Sequence, residues 1–156
     1  MKPFDVTPFS LAASKVEEIL RADPRLNAAS GVRLWHFGTT CDQRPEIDSG
    51  SLPAVLGTFK LADPAPMDES GWRFALVLSL DLFVPSLDAR DSFDLYGAVL
   101  NALFPPGSNA VVNELLEIGA YNHSITGIAP DPYPLDGGAP CALSQGEITL
   151  LVRFDS

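Results

Sequence analysis

Residues 71–84 read GWRFALVLSLDLFV, and their alternation decides the fold. Trp72, Phe74, Leu76, Leu78, Leu80, Leu82 and Val84 fall on one parity, with Arg73, Ala75, Val77, Ser79, Asp81 and Phe83 on the other. A period of two sustained this long predicts a strand with one buried face. A slip of one residue would turn all seven large side chains into solvent, so the register is firmly set. The second face mixes Val77 and Phe83 with Arg73 and Asp81, which is neither core nor ordinary solvent surface. These four residues are therefore the first place to look for contacts between subunits.

Working outward, Phe9, Ala12, Val16, Ile19 and Leu20 recur at helical spacing, with Lys15, Glu17, Glu18 and Arg21 opposite them. Thr7 suits the N-cap, Pro8 suits the first helical position, and Asp23-Pro24 ends the helix. Strands are expected at Val32–Phe37 and Ala54–Leu61, separated by a polar loop, Gly38–Ser51. Ala62–Ser70, with Pro64 and Pro66, reads as a turn region. Past Pro85, with Ser86 or Asp88 as the cap, a second helix is expected to run to about Phe104, stopped by Pro105-Pro106-Gly107. Its apolar residues form two stripes, Phe93/Tyr96/Leu100/Leu103 and Leu95/Val99/Ala102, so it should pack on two sides, and Leu95 and Val99 join the subunit-contact candidates.

Ser108–Ile118 fits a short helix and a strand, with the helix favoured. Ala120–Ile128 reads as a strand, Ala129–Cys141 (APDPYPLDGGAPC) as a loop that cannot sit inside a sheet, and Glu147–Phe154 as a cleanly alternating last strand. The expectation is a single α+β domain over 1–156, a mainly antiparallel sheet flanked by two to three helices. No internal repeat interrupts it.

Composition excludes several functions. Twenty acidic against ten basic residues give a net charge of −10, and the cations are scattered in sequence, so sequence-specific nucleic-acid binding is not expected. No apolar run approaches the ~20 residues that cross a bilayer, and the start MKPFDVTPFS lacks the apolar core of a signal peptide, so synthesis in a reducing cytoplasm without a membrane role is expected. Charged residues are only 19% of the chain, against about 25% in a typical soluble domain, which leaves apolar surface for a partner.

The chemistry-bearing residues do not form a motif. His36, Cys41, Asp42, His123 and Cys141 lack the tight spacings of a zinc site, and Asp131 and Asp136 sit in ordinary turn sequences. Cys41 with His36 or His123 is a conceivable nucleophile–base pair without a local signature, and no G-x-S-x-G is present. Asp88, Asp91 and Asp94 lie near a helix start, where carboxylates suit the helix dipole. Gly137-Gly138 makes no phosphate loop, and Asn122-His123-Ser124 matches a glycosylation site by chance. No catalytic, metal or cofactor site is expected.

The order of elements resembles the tail terminator, or tail completion, proteins of long-tailed bacteriophages. Three regions carry the resemblance: the helix SLAASKVEEILRADPRL leading into a strand, RFALVLSLDLFV passing directly into DSFDLYGAVLNALFP, and the closing strand GEITLLVRF. It implies a non-enzymatic structural subunit of the virion tail, assembled in the host cytoplasm as a hexameric ring. Such a ring ends the tail tube and contacts both the tube protein and the neck or head–tail connector. In that setting Asp81 and Glu147 would line an acidic lumen through which DNA slides, and the loops 38–51, 62–70 and 129–141 would reach neighbouring rings. The alternatives are another connector or tube component or, from a different class, a small α+β hydrolase or ligand-binding protein.

Overall fold

A computed structural model describes residues 8–28, 31–38, 45–67, 71–105, 119–136 and 138–154. Its elements are α1 (Pro8–Ala22), β1 (Leu34–Phe37), a 3-10 turn (Ser49–Ser51), β2 (Ala54–Pro66), β3 (Trp72–Val84), α2 (Ala89–Leu103), β4 (Ala120–Ile125), β5 (Asp131–Tyr133) and β6 (Cys141–Phe154). The strands form one mixed sheet in the order β1-β2-β3-β6-β4, with β5 also on β6. Every pairing is antiparallel except β1 with β2. This is the α+β domain expected from the sequence, with β3 at its centre.

Both helices lie on one face of the sheet. Phe74, Leu76, Leu78, Leu80 and Leu82 of β3, with Ile148, Leu150 and Val152 of β6, meet Ala12, Val16, Ile19 and Leu20 of α1 and Tyr96, Val99, Ala102 and Leu103 of α2. Small residues on β6 let α2 approach. A Cβ at Gly146 would stand 2.9 Å from the Tyr96 ring, and the Tyr96 hydroxyl donates to the Thr126 carbonyl at 2.8 Å. Asp88 caps α2 by accepting from Arg90 N, while Ser86 Oγ accepts from Asp88 N one step earlier. Both candidate capping residues are thus used, and Asp88 is the cap.

The end of α1 is closed by Asn27, whose amide donates to the carbonyls of Leu20, Arg21 and Asp23 and whose Oδ1 accepts from Trp35 Nε1 at 3.0 Å. One side chain thereby satisfies orphan helix carbonyls and ties the helix to β1. Asp23 organises the same turn. Partial burial opposes its ionisation, but the Arg25 guanidinium and the N–H groups of Leu26 and Arg25 outweigh that and hold its carboxyl below the usual aspartate value. A depressed carboxylate stabilises the fold above its unfolded pKa of 3.8 and loses that contribution as pH falls through the lower folded value. Asp23→Asn should therefore flatten the acid limb of urea stability against pH. An unchanged slope would remove Asp23 from the account.

Five sequence expectations of element placement need correction. β2 runs through Ala62–Pro66, because a bulge between Ala62 and Ala65, with Asp63 at φ 50, absorbs the irregularity and β1 covers only Ala54–Gly57, leaving Pro64 and Pro66 on an edge unpaired among the described residues. The proline-rich stretch contributes β5, with Pro132 tolerated because that strand also lies at an edge. β6 begins at Cys141 rather than Glu147, since Ala142, Ser144 and Gly146 continue the buried face with side chains too small to register as apolar alternation. β4 ends at Ile125 and β1 starts at Leu34. The expectations for Thr7, for residues 39–44 of the Gly38–Ser51 loop and for Ser108–Ile118 fall on residues outside those described.

Candidate assembly surface

Among the described residues the other face of the sheet is covered at one end only. There Phe83, Ala54, Leu56, Leu52 and Cys141 form a second buried cluster, with Leu34, Ile47, Leu135 and Leu143 against it. Phe83 is 1% exposed and meets the Tyr133 ring edge-on at 5.2 Å. It is spent inside its own chain and offers nothing to a neighbour. The same correction applies to Val99, which at 0% exposure is core against the sheet. The second apolar stripe of α2 faces inward at Val99 and Ala102, and the side the helix leaves open is marked instead by Phe93, 49% exposed, with Leu95 half-buried at its margin.

Beyond the second cluster the face is open among the described residues. Strand register sets out its rows: Asp81 beside Gln145, Ser79 beside Glu147, Val77 between Lys60 and Thr149, Ala75 between Ala62 and Leu151, and Arg73 beside Arg153. Val77, Ser79, Asp81, Thr149 and Leu151 are half-buried, while Lys60, Arg73, Gln145, Glu147 and Arg153 are exposed. Gln145 donates to Asp81 at 3.1 Å. Of the candidates read from the sequence, Val77, Arg73, Asp81 and Glu147 therefore share one polar-to-mixed surface. Lys60 and Arg153 belong to it too, and they were missed because only the register of β2 and β6 against β3 reveals it.

Both lateral edges of this sheet carry strand backbone that is unpaired among the described residues. On one side β2 is free from Thr58 onward, where β1 has ended; on the other lies β4. β4 is antiparallel to β6, β6 to β3 and β3 to β2, so β4 and β2 run in opposite directions. An edge with unpaired N–H and C=O groups is a template for another strand.

The chemistry-bearing residues are dispersed. Among the described residues no three His, Cys, Asp or Glu side chains come together to hold a metal. Cys141 is fully buried and burial pushes its thiol up, away from the thiolate that a nucleophile needs. Cys41 lies outside the described residues. His36 is half-buried on β1, and His123 stacks on Phe104 with ring centroids 4.3 Å apart, far along the chain and on another edge strand. Asp88 serves as cap and partner of Arg90 at 2.7 Å, and Asp91 and Asp94 are exposed on the first turns of α2.

No family model matches the sequence, and no curated protein is similar to it. Among the solved structures that match this chain are two of low identity. One is 15% identical over 94% of this chain and 97% of its own, with a TM-score of 0.48. The other is a chain in the virion of a native gene transfer agent particle, 12% identical over 89% of this chain and 92% of its own, with a TM-score of 0.36. At these levels neither carries a function to this chain.

Proposed function

We propose that this chain is a structural, non-enzymatic subunit of a phage tail, assembling head to tail into a six-membered ring that ends the tail tube and joins it to the head. The observation that carries the ring is the pair of free edges running in opposite directions. Copies related by rotation about an axis along the strands would place β4 of one beside β2 of the next in antiparallel register, and a heterologous contact that repeats by rotation closes on itself. Where β1 has ended, each copy contributes β2, β3, β6 and β4. At about 4.8 Å per strand, six copies give an inner sheet about 37 Å across before strand tilt widens it. The open face would then point inward, with Asp81 and Glu147 on the lumen, and the helices outward.

The position at the end of the tail rests on the resemblance in element order. The ring has a direct test. Sedimentation of the purified protein, alone and with tail-tube protein, is expected to give six copies of the 16.7 kDa chain, about 100 kDa. Single chains under both conditions would sink the reading.

A further inference from the structure

Arg73 and Arg153 are direct cross-strand partners on the open face, and both are exposed. Like charges placed opposite one another on a sheet destabilise it. Among the described residues neither arginine forms a salt bridge with a carboxylate. What holds Arg153 is instead the Tyr121 ring, with the guanidinium carbon 5.2 Å from its centroid. Tyr121 stands at the irregularity between Ala120 and Asn122 of β4, where the extra residue re-aims a side chain. Lys60 adds a third cation on the same face, opposite Val77. Asp81 and Glu147 lie toward the other end, Asp81 about 26 Å from Arg73 along β3. Lys60, in the Val77 row, lies midway between Arg73 and Asp81, two residues from the Ser79–Glu147 row, so the Arg73–Arg153 pair alone marks the basic end. Two opposed, exposed arginines, one of them braced on an aromatic ring, make an arrangement that an anion would relieve.

We infer that the Arg73 and Arg153 end of the face contacts the phosphate backbone of double-stranded DNA, forming a basic girdle at one end of the lumen while the acidic end lets the duplex pass. This rests on the ring proposed above, which brings six copies of the pair to one level around the axis. Guanidinium groups suit phosphate because their planar donors can bind two oxygens at once. Such contacts carry no base information, so they are compatible with a chain that reads no sequence, and the net charge of −10 confines adhesion to this one level.

The test uses the full chain, sized first, and a short fluorescent duplex titrated at several salt concentrations. Wild-type rings are expected to bind two unrelated duplexes equally, with log affinity falling linearly with log salt. The R73Q/R153Q double variant should keep its size and its melting temperature, since it removes opposed like charges, yet bind about tenfold or more weakly at low salt with a shallower salt slope. Asp81→Asn with Glu147→Gln should leave binding equal or tighter. Rings whose affinity is unchanged in the double variant would overturn the inference and leave the ring standing. Displacement of the duplex by poly-glutamate at matched charge would overturn it in favour of an acidic protein surface. If the chain stays single, the size measurement alone rejects the ring, and the girdle with it.

Discussion

Gly119→Ala is expected to cost the fold about 2–4 kcal/mol, the sum of about 1–2 for a left-handed backbone that alanine resists and a further steric term. Gly119 has φ +84, and a Cβ built on it would overlap the carbonyl oxygen of Arg153. That obstacle is backbone, and it cannot swing aside as the tip of a side chain could. The Arg153 N–H meanwhile donates to the Gly119 carbonyl at 2.9 Å, so moving the two segments apart also weakens a hydrogen bond worth about 1 kcal/mol. For a domain of this size the melting temperature should fall by about 5–15 °C. Gly127→Ala is the matched control: a Cβ there meets nothing within 4 Å and φ is ordinary, so stability should be unchanged or slightly raised. Equal melting temperatures for the two variants would show that β4 enters the sheet by another path. Because Tyr121 follows two residues later, the same variant should also loosen its hold on Arg153.

Leu82→Ala is expected to cost about 3–5 kcal/mol, read from urea unfolding with an unchanged m-value. Leu82 is 0% exposed on the central strand, facing Ser144 of β6 and Val55 of β2 in register. Neither small neighbour has the volume to fill the space that truncation leaves, so the cavity term should be near the top of its range. Val77→Ala, on the opposite face and only half-buried, removes less apolar contact and should cost under about 1.5 kcal/mol in the isolated chain. Equal losses at the two positions would mean that the helix face is not the main core. A loss at Val77 that appears only in the assembled form would mark that residue as a contact between copies.

What the sequence made legible follows from which forces act locally. The strand at 72–84 and the helices after Pro8 and Asp88 were readable because large apolar side chains recur at a fixed period over many residues, and burial then enforces that period. The first half of β6 was not, because Ala142, Ser144 and Gly146 are too small to mark a buried face by alternation, and the close approach of Tyr96 to Gly146 is set by packing far away in the chain. Pro64, Pro66 and Pro132 signalled turns by propensity, but each sits on an edge where a missing donor costs little. Phe83 and Asp81 looked alike as members of one mixed face. Only the cover that Leu52, Ile47 and Leu135 lay over one end of that face separates a core residue from a surface one. Asn27 gave no pattern at all, since its three carbonyl partners and the Trp35 indole meet it through a single turn.

The position of β6 has a consequence for how the molecule comes into being. It is made after every strand it joins, yet it lies between β3 and β4 and also holds β5. Until it emerges from the ribosome, β3 has one flank bare and β4 and β5 have no sheet to join. Pairing over so long a separation in the chain is slow. A nascent or truncated chain therefore lacks the β4 edge described above as well as the Ile148, Leu150 and Val152 share of its core. The same late strand thus sets the timing of assembly, covering the bare flank of β3 in the step that first creates the β4 edge.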